Sequence, residues 1–174
     1  MTKEELKSAL EGLIPVEGEA VSGAAADGDS PKGAGADGAA VFEEGAEWLT
    51  MKIASGDWST YARLLRHTPG LSFDYLFCVT GVDWRTHFTM VYHLTSTVHR
   101  QVLVVKARLD HDHPVIDTVS DIWRTAEFHE REVYDLMGVI FTGHPDLRRL
   151  FMTDDWKGWP LRKDYEDPIN MIKL

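Results

Sequence analysis

Apolar and polar positions divide the chain into stretches of different period. Leu6, Leu10 and Leu13 recur at helical spacing behind Thr2 and Glu5, which stand at the N-cap and capping-box positions, so a helix is expected over Thr2–Leu13. From about Pro15 to Glu44 no period survives. The stretch AVSGAAADGDSPKGAGADGAA has no aromatic residue and too little apolar surface to offset its ordering entropy. It reads as a flexible, acidic Gly/Ala/Asp-rich linker, in which limited proteolysis is expected to cut first. Alternation returns in Glu47–Ala54 (EWLTMKIA), a strand led by Trp48 and Leu49. Trp58, Tyr61, Leu64 and Leu65 then share one face of a helix capped by Asp57 and stopped at Pro69-Gly70. Three β-rich runs, Ser72–Trp84, Phe88–Leu94 and Arg100–Arg108, are separated by short polar turns, the spacing of an antiparallel meander. After Pro114, the spacing of Ile122, Ala126, Val133 and Met137 predicts a helix capped by Asp117 or Ser120 and ending at Gly138. Beyond Gly138 the pattern stops.

The expected organisation is therefore a short N-terminal helix (1–14), a linker (15–44), an α+β domain (45–143) and a tail (144–174). The fold class is α+β: a mainly antiparallel sheet packed with helices, followed by an extended C-terminal tail. The tail holds proline at 145, 160 and 168, adjacent bases after two of these, and two tryptophans, but no core of its own. It is expected to be poor in hydrogen bonds to its own domain and to bind a partner. Truncation after Phe141 is expected to leave the domain folded.

Composition narrows the function. The chain has 174 residues and a net charge of −10, but residues 1–47 carry 11 acids against 3 bases, so the remainder is nearly neutral. An acidic chain of this kind is a poor nucleic-acid binder. No run approaches the ~18 apolar residues of a membrane span, and Met1–Leu10 is too charged for a signal peptide. One cysteine, Cys78, excludes a disulfide framework and any Fe–S cluster or Cys-rich zinc site built by this chain alone. It sits mid-strand, as a small core residue would.

Motifs for catalysis are absent. His111-Asp112-His113 offers two metal ligands without a third at matching spacing. His129-Glu130-Arg131-Glu132 lacks the second histidine of a zinc-protease helix, since position 133 is Val. No GxGxxG or Walker loop occurs. A freestanding metallohydrolase using His111, His113 and His129 is the enzyme alternative. Charge instead concentrates in Glu127–Asp135. Arg131 stands four residues from both Glu127 and Asp135, so one base can serve two acids. Glu130 lies at the edge of the apolar stripe, where a carboxylate must pair with a cation or carry a raised pKa; it is expected to pair with a cation, inside the domain or across to a partner. Phe128 faces the other way beside Glu132 and Asp135, as an interface anchor would. In the tail, Arg148, Arg149, Arg162 and Lys163 can meet carboxylates or carbonyls, with Trp156 and Trp159 as apolar anchors.

The same region carries a family resemblance. Glu130-Arg131-Glu132, Tyr134-Asp135, Gly138, Phe141, Gly143-His144-Pro145, Leu147-Arg148-Arg149, Asp155-Trp156, Gly158 and Pro160-Leu161-Arg162-Lys163-Asp164-Tyr165 closely resemble the signature of the C (30 kDa) subunit of respiratory complex I. Its counterpart in photosynthetic NDH-type complexes is called J. Fainter similarity runs in register upstream, through Phe73-Asp74-Tyr75-Leu76, Val82-Asp83-Trp84, Tyr92-His93-Leu94, Val119-Ser120 and Trp123. Coverage is roughly residues 48–174.

The resemblance implies a peripheral-arm subunit of a proton-translocating NAD(P)H- or ferredoxin-driven quinone oxidoreductase. Such a subunit has no catalytic, cofactor-binding or metal residue of its own. Fe–S clusters, and FMN where present, would sit on partner subunits. Its partners would be the large quinone-site subunit and the Fe–S subunits, with the membrane met only indirectly, on the cytoplasmic side. Its effect on the reaction would be geometric. A homologous subunit of a membrane-bound hydrogenase or ferredoxin-linked complex is the alternative. The motif residues from Phe128 to Tyr165, His144, Pro145 and Asp164 included, would form the interface.

Overall fold

The structure, a computed structural model, describes residues 2–14, 39–43 and 45–167. Its elements are α1 (Lys3–Glu11), β1 (Val41–Glu43), β2 (Leu49–Ala54), α2 (Trp58–His67), β3 (Tyr75–Asp83), β4 (His87–Ser96), β5 (Gln101–Asp110), β6 (Val115–Asp117), α3 (Ala126–Met137) and β7 (Ile140–Thr142). A five-stranded sheet runs in the order β1-β2-β5-β4-β3, and β6 and β7 form a separate parallel pair. The meander β3-β4-β5 is antiparallel, whereas β2 joins β5 in parallel. The fold is α+β with a mainly antiparallel sheet.

Local chemistry accounts for these elements. The Thr2 hydroxyl accepts from the Glu5 amide, and the Glu5 carboxylate accepts from the Thr2 amide, closing the capping box of α1. Leu6, Leu10 and Ile14 are buried in the main core. On β4 and β5 alternate residues point inward, so Phe88, Met90, Tyr92 and Leu94 meet Leu103, Val105 and Ala107 beneath the helices. Trp58, Tyr61, Ala62 and Leu65 are the buried face of α2. Gly81 lets α3 approach the sheet, since a Cβ there would lie 2.7 Å from Met137 Sδ.

Four expectations need correction. The linker reading falls mostly outside the described residues, but its end is a strand: Phe42 pairs with Met51 at the sheet edge, and Glu43 binds Lys106 at 2.7 Å. Asp57 lies in a 3-10 turn, Ser55–Asp57, and makes no side-chain cap to α2. The third helix starts only at Ala126, because Val115–Asp117 is used as a strand against Ile140–Thr142, and Ile122 precedes it in a turn. Neither Asp117 nor Ser120 caps it.

The fourth correction is the largest. Residues 144–167 are irregular but are not poor in bonds to their own domain. Leu161 N–H donates to the Leu136 carbonyl, Lys163 N–H donates to Asp83, and Arg149 and Arg162 both reach back to the domain. Truncation after Phe141 would remove all of these, so the shortened domain is not expected to stay intact.

Gly138 joins helix and tail. It closes α3 in the left-handed region (φ 78), and the Trp159 ring occupies the space a Cβ would need, 2.7 Å away. Gly138→Ala should therefore destabilise by about 2 kcal/mol, from backbone strain plus displacement of the indole. A melt lowered by roughly 5 °C with altered tryptophan fluorescence is the expected result; an unchanged melt would show that Trp159 has no fixed seat on Gly138.

Candidate functional site

The Glu130–Asp135 stretch of α3 organises the site. Asp135 is fully buried, and one of its oxygens accepts the consecutive amides of Leu150, Phe151 and Met152 at 3.0, 2.6 and 2.9 Å. The other meets Arg149 Nη1 at 2.9 Å. Burial pushes this carboxyl up, but the three amides and the guanidinium outweigh it and hold it below the ordinary carboxylate value. Arg149 in turn donates to the carbonyls of Asp135, Trp156 and Gly158 and lies 4.6 Å over the Trp159 ring. Trp159 contacts Tyr134 edge-on at 5.4 Å.

Arg131 does not serve Glu127 and Asp135 as the helical spacing suggested. Its Nε and Nη2 donate to the carbonyls of Arg148 and Arg149 at 3.3 and 3.2 Å, and Nη1 lies 3.8 Å from Asp146. A planar fork suits such a pair of carbonyls, and the tail brings them from a distance that no local pattern reveals. Its guanidinium also covers the Phe128 ring at 5.7 Å. Arg148 chelates Asp146 at the surface. Phe128 and Glu132 are exposed, as expected, whereas Asp135 turns inward and does not border them.

Glu130 has no close cation among the described residues. Its carboxyl is fully buried, accepting from the Val119 amide at 2.9 Å and from the Thr118 hydroxyl. A ring nitrogen of His144, Nε2, stands off at 3.9 Å. His144 Nδ1 accepts the Asp146 amide, which places the ring proton on Nε2, where it donates to the Glu127 carbonyl at 3.0 Å. Glu130 resolves the conflict between charge and burial through its pKa: burial, against the pull of Thr118 and Val119, pushes it up to about 7. Nearby, Pro145 lies on the wall of an open groove with Ser120, Asp121, Arg124, Glu127 and Gly143.

A second clasp ties the far end of the tail. Arg162 donates to the His111 carbonyl at 3.2 Å and to Asp164 at 3.1 Å, and its guanidinium lies 5.1 Å over Phe88. His111 stacks on the same ring at 5.0 Å, with Nε2 3.3 Å from Asp83. Asp83 accepts the Lys163 and Arg85 amides, while the Lys163 ammonium lies over Trp84. Tyr165 packs on Gly158. Ligand atoms of Asp83, His111 and Asp164 lie within 4.8 Å of one another, but Arg162 supplies a positive charge in the same place. His113 is exposed and belongs to no such grouping among the described residues, nor does His129.

The surface therefore presents a tail locked to α3, with apolar side chains turned outward. Sequence reasoning gave no site role to Thr118, Ser120, Asp83 or Tyr92. Two hydroxyls in Thr118-Val119-Ser120, ten to twelve residues ahead of an acid on an apolar stripe, give only a faint signal for the first two.

The comparisons with known proteins agree with this architecture. The family model described as "Respiratory-chain NADH dehydrogenase, 30 Kd subunit" matches residues 51–168. The chain belongs to that family of respiratory-complex subunits. It is 46% identical over 116 residues to the C/D-type NADH-quinone oxidoreductase subunit of Phocaeicola vulgatus, covering 66% of this chain and 22% of the relative. It is 43% identical over 111 residues to the C-type subunit of Chloroherpeton thalassium, covering 63% of this chain and 46% of the relative. The chain thus spans less than half the length of either. Among solved structures, a trypsin-resistant fragment of Nqo5 matches with TM-score 0.55 and 30% identity over 62% of this chain and 89% of that one. A chain of an archaeal membrane-bound sulfane sulfur reductase matches with TM-score 0.67 and 25% identity over 94% and 84%.

Proposed function

We propose that this chain is a peripheral-arm subunit of a proton-translocating quinone oxidoreductase driven by NAD(P)H or ferredoxin. It carries no cofactor and supports the quinone-site and Fe–S subunits, which hold the clusters and, where present, FMN. Among the described residues no helix is long and apolar enough to cross a membrane. Attachment would be through the partner subunits, at the cytoplasmic face. The name of the C/D relative joins subunits C and D in one polypeptide, which supports another subunit of the same complex as a direct neighbour of this chain.

One observation carries the reading. Asp135, Arg131 and Arg149 weld the tail to α3, while Phe128, Phe151 and Leu161 on that unit are 59%, 63% and 54% exposed. Aromatic anchors on a rigid support lose little entropy on docking. Phe128→Asp and Phe151→Asp remove anchors and leave the Asp135–Arg149 bonds in place, the first also taking the ring from beneath the Arg131 guanidinium. Each should leave the melt of the full chain within about 2 °C but weaken capture of the large quinone-site subunit roughly 30-fold. Undiminished co-purification of the double variant would show that the interface lies elsewhere.

The likeness to a chain of an archaeal membrane-bound sulfane sulfur reductase shows that this fold also serves another respiratory membrane complex. On that ground a second reading is a homologous subunit of a membrane-bound hydrogenase or ferredoxin-linked complex. Membranes lacking this chain should lose quinone reduction, whether driven by NAD(P)H or by ferredoxin, under the first reading; under the second they should keep it and lose a hydrogenase or quinone-independent ferredoxin-driven electron transfer.

A further inference from the structure

Glu130 is buried, yet the residues around it satisfy it in two ways. Thr118 Oγ1 stands between the Glu130 carboxyl and Ser120 Oγ, 2.9 Å from the latter, and it also accepts the Ser120 amide at 3.2 Å. A threonine hydroxyl has one proton, so it cannot donate to both neighbours at once. With Glu130 ionised, Thr118 donates to the carboxylate and Ser120 donates to Thr118. With Glu130 protonated, the carboxyl donates to Thr118 and Thr118 donates to Ser120. Both arrangements use the same heavy-atom positions, and the Val119 amide holds the second carboxyl oxygen in each.

Ser120 is only 6% exposed and Thr118 is half-buried, but of the two it is Ser120 that borders a surface groove. It lines the open groove formed with Asp121, Arg124, Glu127, Gly143 and Pro145. We propose that Glu130 is a buried proton-binding site loaded and emptied from this groove through the Ser120 and Thr118 hydroxyls. A proton arriving from water on Ser120 Oγ releases the Ser120 proton to Thr118, and Thr118 passes its own to Glu130. Each hydroxyl gains one proton and gives one up, the carboxylate becomes a carboxylic acid, and one positive charge has entered. No other bond changes.

The groups facing Glu130 favour a neutral resting carboxyl. From β4, the Tyr92 hydroxyl is fully buried, and burial and then the Glu130 charge hold its own proton on. From the turn before α3, Asp121 opposes a second negative charge. From the segment after β7, His144 turns its Nε2 proton to the Glu127 carbonyl rather than to Glu130. On α3 itself, Arg131 is committed to the tail carbonyls. The site therefore depends on the relay, not on a nearby base, for its proton.

The test uses the full chain and the infrared carbonyl band of a protonated carboxyl, identified by its loss in Glu130→Gln. The band should disappear with a midpoint near pH 7. Ser120→Ala breaks the relay at its outer end while leaving the Thr118 contact, so the midpoint should hold while protonation after a pH jump slows at least about tenfold. Thr118→Val should slow it similarly and raise the midpoint by about one pH unit, because the ionised form loses a donor. Near-ultraviolet dichroism checks that each variant is folded. A midpoint at the ordinary glutamate value, or unchanged protonation rates in both variants, would overturn the proposal. The readout requires no partner, so its failure is independent of the assembly reading.

Discussion

Replacing Asp135 with alanine should destabilise the chain more than any other single change in the motif, by about 3–5 kcal/mol. The side chain is the shared acceptor for three amides and the buried partner of Arg149, whose guanidinium also holds Trp156 and Gly158. Removing one half of a buried pair leaves the other charge desolvated, which costs more than the pair contributes. The expected result is a melt lowered by roughly 10 °C, with trypsin gaining access to Arg148 and Arg149 as the tail lifts from α3. The contribution has a defined pH window. Folding depresses the Asp135 pKa, so its stabilisation is complete above the unfolded value of about 4 and fades as pH falls through the lower folded value. A melt within about 2 °C of the parent would mean that the three amides find equivalent partners in water.

The second large effect has the opposite sign. Glu130 titrates near 7 in the folded chain against an ordinary value of 4.5, so between these values the folded state holds a proton that the unfolded state has released. Stability from this group is full below about pH 4.5, falls as pH rises towards 7, and is flat beyond. Over that window the loss amounts to roughly 3 kcal/mol. Glu130→Gln stays neutral throughout. Its unfolding free energy should lack this decline, so the variant gains on the parent between about pH 5 and pH 8. Denaturant titrations at several pH values measure the difference, and parallel curves would show that Glu130 remains ionised in the fold.

Much of the architecture was legible because its causes are local. The α1 capping box needs only residues three apart, and the meander needs alternation and short turns. What escaped depends on partners far along the chain. Strand β1 is three residues long, and Phe42 is half-buried only because β2 lies beside it. Val115 pairs with Ile140 across the whole of α3, which no periodicity in either segment announces. Helical spacing joins Arg131 to Glu127 and Asp135, but carbonyls of residues 148 and 149 compete better for its fork. Glu130 stands out in the sequence as a carboxylate at odds with burial, yet its solution is a proton and two hydroxyl neighbours rather than an arginine. The exposure of Phe128 follows directly from its place opposite the apolar stripe.

The parallel pairing of β2 with β5 sets a timetable for the nascent chain. Leu49 aligns with Leu103, so β2 has no partner on that side until β5 has left the ribosome. At a synthesis rate of about 5–20 residues per second, the apolar side chains of Leu49, Met51 and Ile53 wait roughly 3–10 seconds. The β3-β4 hairpin can form meanwhile, since its contacts close a short loop, and once β5 has joined it the free β5 edge stays open until β2 docks there. Chaperone capture during synthesis therefore falls on β2 and on that edge, while the long-range closure between them limits the folding rate.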